Sequence, residues 1–97
     1  MKNNIPDRVL KDISRSALKF GVKKIVLFGS RARGTHTERS DIDIAVYGGN
    51  CDGFFWDIKE NAHSLLMFDA VDMDNCRSDE LKKEIDREGV TIYEKTR

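Results

Sequence analysis

The chain carries no net charge: 17 Lys and Arg stand against 17 Asp and Glu in 97 residues. No global positive field exists to hold a nucleic acid backbone, so direct nucleic acid binding is not expected. Cysteine is scarce, since Cys51 and Cys76 lie outside any C-x-x-C spacing and no secretory signal precedes them. Reduced thiols in a cytoplasm fit this usage better than a structural disulfide. No apolar run approaches the ~20 residues needed to cross a bilayer, and the polar Met1-Lys2-Asn3-Asn4 is no targeting segment. A soluble, cytoplasmic protein without membrane contact is expected. His36 and His63 are isolated and in no metal-ligand spacing, which sets zinc chemistry aside. The glycines are not followed by G-K-[ST] and do not form G-x-G-x-x-G, which excludes a Walker P-loop and a dinucleotide-binding turn. With neither repeat nor low-complexity linker, residues 1–97 form one small domain with a single core.

The chemistry that is present is concentrated in two neighbouring stretches. Lys24 to Phe28 (KIVLF) reads as a short apolar strand that runs into Gly29-Ser30. That is the turn chemistry of a strand meeting a helix, whose first N–H groups can face an anion. After a polar loop comes Asp41-Ile42-Asp43-Ile44-Ala45-Val46. A period of two puts both carboxylates on one face and Ile42, Ile44 and Val46 on the other. The apolar face can then bury while the acids stay free. Two adjacent acids repel unless a cation lies between them, and oxygen ligands on a strand suit a hard divalent ion such as Mg²⁺. A phosphate seat beside a metal seat points to nucleotide chemistry. Between the two stretches, Arg31, Arg33, His36 and Arg39 outweigh the single acid Glu38, so the local field is positive. Any one of these arginines is by default solvated, yet the bidentate fork of Arg31 or Arg33 would serve a triphosphate.

The rest of the chain supplies the frame. Ile5, Val9, Ile13 and Ala17 recur at helical spacing up to Phe20, with Pro6 and Asp7 suited to the first turn and Gly21 to the stop. Phe54, Ile58, Ala62 and Leu65 repeat in the same way, widened by Phe55 and Leu66, and read as the buried face of a second helix. Phe68 to Asp74 (FDAVDMD) is a third strand candidate in which three acids compete. Asp72 and Asp74 share one face, whereas Asp69 has the other parity. Asp72 sits inside the apolar run, where an ionised carboxylate is costly without a cation, and so reads as the third acid. Ser78 caps a last helix with Leu81 and Ile85 inward and Gly89 at its end, and Val90 to Tyr93 alternates as a closing strand. The expected order is α, β, β, α, β, α, β.

Gly29-Ser30, ten intervening residues and then Asp41-x-Asp43 resembles the signature of the minimal nucleotidyltransferases of the DNA polymerase β superfamily. G-S-R-A-R-G with S-D-I-D downstream extends the likeness, which can be followed through Asp72 to Tyr93. The resemblance implies an α/β (α+β) fold of the polymerase β-like kind, a small mixed sheet packed by helices. It implies that Gly29 and Ser30, aided by Arg31 or Arg33, hold the β and γ phosphates of ATP. Asp41, Asp43 and Asp72 would bind two Mg²⁺ ions in a two-metal displacement that transfers AMP. Stand-alone members of this family look like antitoxins paired with a HEPN-domain ribonuclease, so the implied acceptor is a hydroxyl of that partner. The docking surface would then be the rim around the acids, with Arg39 and Trp56. Two other functions fit the residues: a catalytically weak binding module, and a small-molecule adenylyltransferase, although no segment remains to wall an acceptor pocket.

Overall fold

The computed structural model describes residues 5–35, 41–61 and 67–95. His36, Glu38, Arg39, Ala62, His63, Leu65 and Leu66 lie outside the described residues. The elements are α1 (Asp7–Lys19), β1 (Lys24–Phe28), α2 (Ser30–Arg33), β2 (Ile42–Tyr47), α3 (Cys51–Asn61), β3 (Phe68–Asp72), α4 (Asp79–Glu88) and β4 (Val90–Glu94). They match the expected order with one addition, the four-residue α2.

α1 begins after Pro6, whose carbonyl receives the Leu10 N–H at 3.0 Å. It ends in a Schellman arrangement, with Val22 N–H donating to Ala17 O at 2.9 Å and Gly21 N–H to Leu18 O at 3.4 Å. The turn requires the left-handed φ of 71° that Gly21 takes. Ser78 caps α4 as its sequence suggests, its hydroxyl accepting the Leu81 N–H at 3.2 Å. Gly89 ends α4, as expected, but without the left-handed turn that glycine often supplies at a helix end: its φ is −69°. Glycine is needed there because a Cβ would run into the Ile85 carbonyl oxygen and Val26 Cγ1, so the helix end lies directly on β1.

The four strands form one mixed sheet in the order β3-β2-β1-β4. β1 pairs antiparallel with both β2 and β4, whereas β2 and β3 are parallel. That polarity follows from the chain, since two strands joined by a crossing helix run the same way. α1 and α3 cover one face, where Val9, Ile13, Phe54 and Ile58 pack on Ile25, Leu27, Ile42, Ile44 and Val46. α4 covers the other, with Ile85 on Val26, Phe28 and Ala45. β1 is apolar and buried from Ile25 to Phe28 because both of its faces are covered there. Each fully buried Ile or Phe adds roughly 1.5–3 kcal/mol, so this two-sided core, not local propensity, fixes where the strand ends fall.

Candidate active site

The ends in question meet at one edge of the molecule. β1 finishes there, while β2 and β3 both start there, because β2 is antiparallel to β1 and parallel to β3. Phe28 pairs with Asp43, and Gly29 follows at once with φ 76°. The chain then turns into α2, where the Ala32 and Arg33 N–H groups both donate to the Gly29 carbonyl at 3.1 Å. Ser30 is half-buried at the head of that turn, and Gly34 closes it in the left-handed region.

Asp43 behaves as its alternation foretold. Ile42, Ile44 and Val46 are fully buried against α1 and α3, whereas Asp43 emerges on the α4 face. Asp41 is exposed, one residue before β2. The third acid differs from the one that the sequence favours. In the parallel register Asp69 is the partner of Asp43, and Asp72 is the partner of Val46, at the far end of the strand. Asp72 is occupied in a turn: its Oδ1 accepts the Asp74 N–H at 3.2 Å and its Oδ2 the Asn75 Nδ2 at 2.7 Å. The nearby Asp74 accepts the Gly48 N–H at 3.1 Å and pins the same corner. In the register of the sheet Asp72 therefore stands apart from Asp43, and Asp69 is the β3 acid that lies beside it. Weighing each acid by its apolar neighbours misses this. The readable signal is polarity: a helix crossing between β2 and β3 makes them parallel, and so groups the acid at the start of one with the acid at the start of the other.

Electrostatics bears out the grouping. Burial pushes the Asp43 carboxyl above its ordinary value; Asp69 and then Asp41 push it further, Arg33 pulls it down, and Glu84 adds a smaller upward push. Like charges thus converge on Asp43, with Arg33 opposing them. Among the described residues no three acid, His or Cys side chains form a ready-made metal cage. Hard carboxylate oxygens that repel one another suit a divalent ion of the Mg²⁺ kind, which commonly takes one or two carboxylates and completes its shell with water and substrate phosphates.

The two arginines part company. Arg31 is only 4% exposed and is drawn into the fold, whereas Arg33 is exposed and reaches α4, with Nη1 3.4 Å from Glu88 Oε1. Trp56 is exposed on α3, where it meets Phe55 edge-on at 6.2 Å and Lys59 at 5.2 Å. α3 packs on the face of the sheet opposite Asp43, so Trp56 is carried on the other side of the sheet from that acid. Cys51 and Cys76 are both free. No helix among the described residues is long and apolar enough to cross a membrane.

Comparison with known proteins bears on the family and the fold. The family model described as polymerase beta, nucleotidyltransferase matches residues 11–97. Two candidate protein adenylyltransferases of Methanocaldococcus jannaschii are similar in sequence. One is 67% identical over 27 residues, 28% of this chain and 27% of that protein; the other is 56% identical over 39 residues, 40% of this chain and 33% of that protein. The matches thus span a third or less of those relatives. Among solved structures, a toxin-antitoxin crystallised with AMP-PNP superposes with a TM-score of 0.70 at 26% identity, over 90% of this chain and 74% of that one. A Tyr-to-Ala variant of the toxin-antitoxin MntA-HpeT gives a TM-score of 0.67 at 25% identity, over 95% of this chain and 75% of that one.

Proposed function

Because this chain belongs to the polymerase β nucleotidyltransferase family, we propose that the acidic end of its sheet transfers AMP from ATP to a hydroxyl of a protein partner, and that the chain is the antitoxin of a toxin–antitoxin pair. The observation that carries the reading is the rung formed by Asp43 and Asp69, set against the Gly29 turn. A structural relative crystallised with an ATP analogue, and sequence relatives named as candidate protein adenylyltransferases, support the substrate and the acceptor class.

In this mechanism the Gly29-Ser30 turn, with the Ser30 hydroxyl, orients the phosphates, and the Arg33 fork takes a phosphate oxygen. Arg31, being buried, is less accessible to a phosphate than Arg33. Asp41, Asp43 and Asp69 would hold the divalent ions, two in the family's mechanism. When bound, these ions offset charge on the pyrophosphate and acidify the attacking hydroxyl. The acceptor oxygen forms a bond to the α-phosphorus as the bond to pyrophosphate breaks. Its proton passes to Asp69, the most exposed member of the Asp43–Asp69 rung, and from there to water. The partner brings its own hydroxyl, and a HEPN-type ribonuclease is the proposed toxin, silenced because an added anion repels RNA phosphates.

The test is incubation with ATP, Mg²⁺ and the protein encoded beside this one, followed by intact-mass spectrometry of both. A mass increase of one AMP on the partner, absent with Asp43→Asn, is the expected result. Protection of cells by Asp43→Asn with neither protein modified would leave a binding module instead.

A further inference from the structure

β4 starts opposite Leu27, so the last turn of α4 reaches the end of the sheet where the acids lie. The close seat of Gly89 on β1 sets how near it comes. Glu88, the residue before it, is thereby held at a fixed height above the strand. Its Oε1 lies 3.4 Å from Arg33 Nη1, across 55 positions of sequence. Arg33 is mounted as firmly, at the end of a helix of four residues closed by Gly34. It also faces the negative C-terminal end of α4. Glu88 is the sheltered partner, with 23% of its side chain exposed against 41% for Arg33.

As a contribution to folding, such a surface pair is small. Its importance lies in where it puts the guanidinium. Among the described residues Arg33 is the cation that offsets Asp69, Asp41 and Glu84 around Asp43. A loose arginine gives up rotamer freedom each time it engages a ligand, and a tether removes that loss beforehand. A guanidinium has five N–H donors, so contact through one Nη1 hydrogen leaves a fork for a phosphate. The Glu88 charge repels a polyanion, but it is already paired, and pairing blunts that repulsion.

We propose that Glu88 is a positioning residue for the nucleotide site: its ion pair with Arg33 holds the guanidinium beside Asp43, ready for a triphosphate oxygen. The inference rests on the transferase reading above. The experiment is calorimetric titration of the full chain with α,β-methylene-ATP and Mg²⁺, together with thermal melts without nucleotide. Glu88→Gln should weaken binding about 3- to 10-fold, the scale of one immobilised side chain, with little change in melting temperature. In transfer assays KM for ATP should rise more than kcat falls. Arg33→Gln should weaken binding at least as much, and adding Glu88→Gln to it should cost nothing further. Equal or tighter binding by Glu88→Gln, or a loss that persists in full when residue 33 is already Gln, would overturn the positioning role alone. A wild-type chain that fails to bind the analogue would remove the transferase reading with it.

Discussion

Gly29 and Asp43 contend for the same space: a Cβ added to the glycine would fall on the Asp43 carboxylate, 3.2 Å from its Cγ and 3.3 Å from its Cβ. The φ of 76° at Gly29 is a second reason for glycine at this position.

Gly34 separates the two reasons, since its φ is 79° but nothing lies within 4 Å of an added Cβ. Gly34→Ala should cost only backbone strain, about 1 kcal/mol in denaturant titrations. Gly29→Ala should cost clearly more and abolish AMP transfer by displacing Asp43. Equal losses from the two variants would show that the close approach is not what demands glycine.

Asp69 and Asp72 should respond in opposite ways. Asp69→Asn should stop transfer while leaving stability in metal-free buffer unchanged or higher, because one like charge beside Asp43 is gone. Asp72→Ala should preserve transfer but destabilise the fold by about 1–2 kcal/mol, having removed the acceptors of the Asp74 N–H and the Asn75 amide. Normal activity in Asp69→Asn, with loss in Asp72→Ala at full folding, would reverse the assignment.

Cys51 gives the far corner a pH signature. Burial first, then Asp72, Asp52 and Asp74, push its thiol up to about 11. A raised pKa keeps the neutral, unreactive form at physiological pH. In a Cys76→Ser background, alkylation of Cys51 by iodoacetamide should climb about tenfold per pH unit from pH 8 to pH 10 without a plateau. Asp72→Ala should speed it at every pH in that range. A plateau below pH 9 would place the thiol outside this acidic, buried setting.

How much of this was legible in the sequence depends on how locally each feature is decided. β1, β2, α1 and the Ser78 cap are readable because periodicity and capping chemistry act over a few neighbouring residues. α2 is too short for a period to show, although Gly29-Ser30 marks its start. Asp69 escapes because parity within β3 says only which face an acid takes. Its distance from Asp43 is decided by the strand beside it. Gly89 is legible as the end of α4, but the reason for glycine there is not: an added Cβ would meet the Ile85 carbonyl and, on another element, Val26. Gly89→Ala should accordingly destabilise by about 1–3 kcal/mol in a urea titration, the cost of overpacking. A neutral result would mean that the helix end has slack.

Among the described residues β3 is an edge strand that pairs with β2 alone, and its side chains are mostly half-exposed where those of β2 are mostly buried. Asp69 is thus tied to the sheet from one side, whereas Asp43 is held from two. A slip of one residue would turn Asp69 toward α3 and bring Phe68 or Ala70 to the acid face. Amide hydrogen exchange should find β3 opening before β1 and β2, by local fraying rather than global unfolding. A carboxylate on an edge strand is assembled and dismantled with that strand, so Asp69 should be in place less constantly than Asp43 on the interior β2.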